Sequence, residues 1–241
     1  MDLFSLTVIL ASGVLGSIVM TVCGFGLGGV VMAIWPYLML YSQSVAISGL
    51  CGLTTALIVV FTNFKYISFK KLLPCLAAGL VAAGIAVVLS VGAAEKIMTR
   101  SLGAALLALS CYSIFLGGRI HIRATPLNGM IAGTLGGILS GLFSVGGPPI
   151  AIYMLSAADS NDEYRATLNA HFCGITIFAT FMRYKSGIVT VDTIKIWMII
   201  LAALALGYYI GNKIFHKLDA DKLRKIVYAY LALSGLTMLF S

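Results

Sequence analysis

The sequence predicts an all-α protein that crosses a membrane many times and consists of two similar halves. Of its 241 residues, 60% are hydrophobic and 10% are charged, and the mean hydropathy is +1.03. A soluble domain carries about 25% charged residues and could not hide this much apolar surface from water. The apolar residues form long runs, and a glycine-rich motif interrupts these runs once in each half. The bilayer is therefore the predicted solvent for most of the chain.

Ten apolar runs follow one another, with the charged residues almost wholly between them. They cover roughly residues 3–22, 27–40, 44–64, 72–92, 100–117, 127–143, 148–157, 166–183, 193–211 and 223–240. Seven are long enough, or nearly so, for the ~20 residues that cross a bilayer. The runs 27–40 and 148–157 reach only about 21 and 15 Å at 1.5 Å per residue. Seven, eight or ten segments result, depending on how the short runs are counted.

The chain reads as one transmembrane domain, 1–241, with one repeat at 1–122 and a second at 123–241. Five runs occur in matching order in each half, and the motif Gly26-Leu27-Gly28-Gly29 corresponds to Ser144-Val145-Gly146-Gly147-Pro148-Pro149. Farther on, Cys51-Gly52-Leu53-Thr54 corresponds to Cys173-Gly174-Ile175-Thr176. These matches predict an internal duplication.

The direction of the chain at the two motifs decides how the repeats are related. If the chain reverses there, the repeats are inverted, with five segments each, and the 16 Lys and Arg divide eleven to five between the two sides. The five are Lys96, Arg100, Arg183, Lys185 and Lys195. If the chain continues straight, each half has four spans, the two halves run parallel to each other, and the division is eight to eight. Short loops of membrane proteins are biased in Lys and Arg. The sequence therefore favours inverted repeats, with both termini outside and the basic loops in the cytoplasm.

The second motif is a predicted anion site. Gly146 and Gly147 permit positive φ and close approach to the backbone, and Pro148 suits the first turn of a helix. A helix N-terminus offers free N–H groups and a partial positive charge, both of which favour an anion. The hydroxyl of Ser144 adds another donor.

The first motif predicts a similar turn without prolines. It contains four glycines ahead of a helix that is expected to end near Pro36: Gly24, Gly26, Gly28 and Gly29. Because both following segments are too short to cross, both tips should lie inside the bilayer and approach each other. Small residues also permit tight helix packing, which is the predicted role of Gly129, Gly133 and Gly137 and of Gly207 and Gly211.

The run after the second motif adds three polar candidates. Arg165 opens this run and either donates to an oxyanion or is a topological charge at the membrane interface. Asn169 and His171 lie within the span, where polar groups are costly and often functional. A coupled proton would pass through His171 or through the substrate itself. Weaker candidates are hydroxyl and amide side chains that often bond their own helix: Ser48, Thr54, Thr55, Asn63 and Thr167.

Several function classes are disfavoured. All acidic residues fall in loops or at span ends, so no membrane carboxylate is available for a cation antiporter: Asp2, Glu95, Asp159, Asp162, Glu163, Asp192, Asp219 and Asp221. The net charge of +8 is spread between runs and forms no nucleic-acid patch. The five cysteines form no C-x-x-C pair. We predict no enzyme activity, metal or cofactor.

The paired motifs resemble the TauE/SafE sulfite-exporter family over essentially the whole chain. The resemblance is carried by Gly24-Phe25-Gly26-Leu27-Gly28-Gly29, by Gly141-Leu142-Phe143-Ser144-Val145-Gly146-Gly147-Pro148-Pro149 and by Arg165-Ala166-Thr167. It implies a transporter of sulfite, sulfonates or related organosulfur acids in the bacterial inner membrane, driven by an ion gradient.

We therefore expect a secondary transporter that works by alternating access. Its predicted partners are a small anion, membrane lipid and a coupling ion such as H⁺, and a homo-oligomer is compatible with the sequence. The alternative is a passive anion channel, which the scarcity of polar residues in the spans disfavours.

Overall fold

The computed structural model describes residues 3–116, 123–214 and 220–240, and all regular structure in these ranges is helical. Ten α-helices occur in them: α1 (Leu3–Cys23), α2 (Leu27–Met32), α3 (Tyr41–Asn63), α4 (Phe69–Ser90), α5 (Glu95–Leu116), α6 (Pro126–Phe143), α7 (Gly147–Ala157), α8 (Asn161–Lys185), α9 (Val191–Ile214) and α10 (Ala220–Phe240). Two 3-10 helices follow α2 and α3, at Trp35–Tyr37 and Phe64–Tyr66. The predicted repeat boundary at residue 122 and the acidic residues Asp2 and Asp219 lie outside the described residues.

Five of the described helices are long and apolar enough to cross a membrane: α1, α3 with its 3-10 extension, α4, α6 and α9. The sequence had suggested seven. The helices extend beyond the apolar runs, so α5 begins with Glu95 and Lys96, and α8 includes charged residues in both its first and its last turn. The chain is thus a polytopic membrane protein, and its short α2 and α7 could extend only about 9 and 16 Å.

The chain reverses at both motifs and forms two helical hairpins. In the α1–α2 hairpin, Gly16 lies against Leu27 and Val31, and the Nε1 of Trp35 donates to the Oγ of Ser12 at 2.9 Å. In the α6–α7 hairpin, Gly136 lies against Ile150, and Gly129 lies against the ring of Tyr153. As the residue number falls along the first helix of each hairpin, the number of the contacting residue in the second helix rises, so the two helices are antiparallel.

Small residues join the first helix of each hairpin to a helix of the other half. Gly133 of α6 lies against the Cys75 carbonyl of α4, and Gly137 lies against Gly79. In the same way, Gly207 and Gly211 of α9 lie against α1. The predicted packing role of these glycines is confirmed, because a Cβ at any of the four would overlap its neighbour.

The outer faces of the bundle are apolar and the interior contains several hydroxyls. On α4, for example, Val81, Ile85 and Leu89 are largely exposed. The buried Oγ of Ser17 on α1 donates to the Leu204 carbonyl of α9 at 2.8 Å. This distribution suits a protein whose surface faces lipid and whose polar groups bond one another.

Candidate functional site

The tips of the two hairpins meet inside the bundle. A Cβ on Gly28 would overlap the carbonyl oxygen of Ser144, and a Cβ on Gly147 would lie 3.0 Å from the Cβ of Phe25. The two glycine-rich motifs are therefore in direct contact, backbone against backbone in the first case. Glycine is required at Gly28 because no side chain fits in this contact.

The local turn differs between the motifs. In the first, Gly24 and Gly26 have φ of 82° and 113°, as the clustered glycines predict. In the second, the left-handed residue is Ser144, at φ 55°, whereas Gly146 has φ −78°. Neither Gly146 nor Gly147 uses the positive φ that glycine permits. A Cβ on Gly146 would overlap the carbonyl of Gly136, so glycine is needed there for close approach.

Ser144 closes α6 and ties the turn to α3. Its N–H donates to the Ser140 carbonyl at 3.0 Å, which ends the helix, and its Oγ donates to the Val45 carbonyl at 2.9 Å. The hydroxyl, predicted as a donor to substrate, is therefore already engaged with the backbone of α3.

Each tip continues into a short helix. In α7, Pro148 and Pro149 have no N–H, so the free donors at its start are the N–H groups of Gly146 and Gly147. In α2, the N–H groups of Gly28 and Gly29 lie in the first turn, where helices leave them without an internal acceptor. α2 ends at Met32, before the predicted end near Pro36, which lies in the following 3-10 helix.

A cavity of about 90 Å³ lies at the meeting of the tips. One water needs ~10–15 Å³ on the same measure, so the cavity can hold an ion of several atoms. Its wall includes seven of the predicted site residues: Gly26, Gly28, Gly29, Ser144, Gly146, Gly147 and Pro148. The remaining wall is mainly apolar, from α1, α3, α5, α6, α8 and α10, and includes Val19, Phe172 and Leu231.

Arg183 is the charged residue on this wall, and its assignment to a loop was wrong. It was counted among the loop charges, but its side chain is buried and only 2% exposed. Its Nη2 donates to the carbonyls of Ser140 and Gly141, at 2.9 and 2.8 Å, just before the tip. None of the ion pairs in the described ranges includes Arg183. The available signal was its position inside an apolar run rather than after it.

Ser48 of α3 is the second side chain that the sequence undervalued. It lies on the cavity wall, is 2% exposed, and its Oγ has no hydrogen-bond partner within the described part of the chain. The other hydroxyl candidates have structural partners. For example, Thr54 accepts from the Nε1 of Trp197, and Thr167 accepts from the N–H of Ser68.

Four predicted site residues lie off the cavity wall: Gly24, Arg165, Asn169 and His171. Arg165 lies near the start of α8, about 10 Å along the axis before Phe172, the first α8 residue on the wall. Asn169 donates to the carbonyl of Arg165 at 2.8 Å. His171 is fully buried beside Gly79 of α4, and neither ring nitrogen has a hydrogen-bond partner in the described ranges.

The fold defines a polytopic membrane protein, and a cavity with one buried arginine on its wall lies between the tips of its two helical hairpins. The family model of the sulfite exporter TauE/SafE family matches residues 9–238, and the chain belongs to this family. It is accordingly a membrane transport protein. Comparisons with curated proteins and with solved structures give no match.

Proposed function

We propose that the protein is a secondary transporter that moves a small sulfur-containing anion across the bacterial inner membrane by alternating access. The observation that carries this proposal is the cavity at the meeting of the hairpin tips. There the start of α7 and the buried Arg183 both present positive charge, and none of the ion pairs in the described ranges involves Arg183. Membership of the sulfite exporter family supports sulfite, a sulfonate or a related organosulfur acid as the substrate.

Helix packing supports an inverted repeat as the moving unit. α1 packs on α9, and α6 packs on α4, so the first helix of each half meets the fourth helix of the other. The two helices of each pair run parallel, because the numbers of the contacting residues rise together along both helices. On α1 the contacts with α9 run through Gly13, Ser17 and Thr21. On α4 the contacts with α6 run through Cys75, Gly79 and Ala83. Such an exchange is expected if a two-fold axis relates the halves, and the reversal of the chain at both motifs favours an axis in the membrane plane, as in an inverted repeat. Rocking of one repeat against the other about a central site is the usual consequence.

Passive conduction is the alternative mechanism. A channel requires a continuous polar path, whereas the cavity wall is mainly apolar apart from the tip backbone and a few side chains such as Arg183, Ser48 and Thr176. This wall favours a carrier that closes on its substrate. Uptake that saturates at low substrate and stays far below channel rates supports the carrier, and linear, fast flux would support the channel.

The test of the function is uptake into proteoliposomes. Purified protein would be given radiolabelled sulfite or a taurine-like sulfonate, with and without an imposed pH gradient, and compared with protein-free liposomes. We expect saturable uptake of one of these anions that is enhanced by the gradient. Absence of uptake of both under either gradient direction would contradict the proposed substrate class.

A further inference from the structure

We propose that Arg183 and Ser48 form the subsite that binds the oxygen atoms of the transported anion and supplies its counter-charge. This inference rests on the proposed transport function and deepens it, because it assigns the side chains that contact the substrate. The ligand is a small oxyanion headgroup such as that of sulfite or a sulfonate. The two residues lie on α8 and α3, outside both glycine-rich motifs.

The guanidinium of Arg183 is fixed in place and has no anionic partner among the residues that the structure describes. Its Nη2 is held by the carbonyls of Ser140 and Gly141, whereas Nη1 lies beside Gly49, 3.3 Å from the position of a Cβ on that glycine. These carbonyls lie in the last turn of α6, where the helix dipole offsets part of the positive charge, but neither is a full counter-ion. A buried charge without a counter-ion is strongly unfavourable, so this side chain calls for an anion in the cavity.

Ser48 supplies an independent observation. Its Oγ is buried, lies on the cavity wall 3.6 Å from the position of a Cβ on Gly28, and is unbonded within the described ranges. Ser44, one turn earlier on the same helix, is also fully buried, but its Oγ donates to the Leu40 carbonyl at 3.1 Å. Helix geometry alone therefore does not leave a serine of α3 unbonded. A ligand oxygen would provide the missing acceptor.

The candidate donors come from three elements that line one cavity. Arg183 Nη1 lies beside Gly49, the chain neighbour of Ser48 on α3, and the N–H groups of Gly146 and Gly147 begin α7. Planar guanidinium donors, a hydroxyl and backbone N–H groups match an anion with three oxygen atoms around one centre. A cation or an uncharged solute would leave the charge of Arg183 uncompensated.

The experiment compares Ser48→Ala, Arg183→Lys and Arg183→Gln with two matched controls. Ser44→Ala removes a serine hydroxyl from the same helix, and Lys195→Gln removes an exposed cation that pairs with the exposed Asp192. For each protein, the KM for labelled sulfite uptake would be measured in proteoliposomes, and sulfite binding by the shift of the melting temperature in detergent.

We expect Ser48→Ala to raise KM about tenfold, as for loss of one hydrogen bond to a charged ligand. Arg183→Gln should abolish both uptake and the sulfite-induced shift, and Arg183→Lys should retain weak uptake because the charge remains. Both controls should stay within about twofold of the native protein. If the arginine variants do not fold, the KM of Ser48→Ala compared with that of Ser44→Ala is sufficient to test the subsite.

The two proposals fail in different ways. Native KM values for Ser48→Ala and Arg183→Lys would overturn the subsite and leave sulfite transport standing. If the native protein transports neither anion but binds sulfite, and Ser48→Ala weakens that binding, the subsite stands and the transport proposal fails. Absence of both transport and sulfite binding by the native protein overturns both.

Discussion

Gly28 and Gly52 show how differently two glycines at one cavity are constrained. A Cβ on Gly28 would overlap the backbone oxygen of Ser144, which cannot move without displacing the second hairpin. A Cβ on Gly52 would meet no atom within 4 Å, although both glycines line the cavity. Substitution by alanine would therefore disturb the contact between the tips at Gly28, whereas at Gly52 the added methyl group would meet no neighbour.

We predict that Gly28→Ala destabilises the protein by about 1–3 kcal/mol, as overpacking of a rigid contact does. Gly52→Ala should melt like the native protein, because its methyl group enters free space. Melting temperatures in detergent would measure both, with expression level as the control for insertion. Equal melting of the two variants would show that the tips are not in contact.

In the second tip, the backbone conformation of Ser144 could not be predicted from the residue types around it. The glycines beside it suggested that they carry the left-handed conformation, yet Ser144 adopts it, at φ 55°. Its two hydrogen bonds, from N–H to Ser140 and from Oγ to Val45, hold it there. Tertiary contacts that offset backbone strain leave no local sequence pattern.

At the scale of elements, the α4–α6 contact depends on the face of α6 that consists of glycines, since the residues on its other faces are exposed or larger. Gly133 lies against the Cys75 carbonyl, whereas the adjacent Thr134 is exposed on the opposite side and donates to the Met130 carbonyl of its own helix. Backbones that approach this closely gain packing that a larger residue would prevent. The glycine repeat in α6 made this contact predictable.

We predict that Gly133→Val prevents α4 and α6 from packing and sharply reduces the amount of folded protein, because its side chain would overlap a backbone carbonyl. Thr134→Val has nearly the same shape as the native residue and faces outward, so its stability should change by less than about 0.5 kcal/mol. Monodispersity after detergent extraction would compare them. Normal folding of Gly133→Val would contradict the described packing.

At the scale of the whole molecule, contacts between distant loops bear on the topology. The Nζ of Lys71, at the start of α4, lies 2.7 Å from Asp159 and 2.8 Å from Glu163, between α7 and the first turn of α8. The N–H of Ser68 also donates to the Thr167 hydroxyl. These loops must lie on the same side of the membrane, which requires the chain to reverse at the second motif. Straight passage would place them on opposite sides.

We therefore predict the sidedness of three introduced cysteines, each in a Cys111→Ser background, because Cys111 is exposed. A thiol reagent that does not cross membranes should label Ser186→Cys in intact cells. Tyr66→Cys and Asn161→Cys should react only after permeabilisation, since both lie on the side of the basic loops. Labelling of Tyr66→Cys and Asn161→Cys from opposite sides would contradict the reversal.

The burial of Arg183 also changes the charge count that favoured this topology. With Arg183 removed from the loop charges, the division of eleven to five becomes eleven to four. The bias toward one side is thus greater than the sequence indicated. An arginine at the end of an apolar run can be a loop charge or a buried side chain, and its tertiary partners, here the carbonyls of Ser140 and Gly141, decide between the two.

The sequence alone determined the membrane environment, the order of ten segments, the two tips and the glycine-packed helix faces. These features follow from hydropathy, from run length and from residues whose backbone or size is special, and such properties are local. Tertiary structure alone decided which polar groups line the cavity. It placed Arg183 and Ser48 there and kept Arg165, Asn169 and His171 off its wall. The rotation of α3 and α8 about their axes sets that outcome, and packing against other helices determines this rotation.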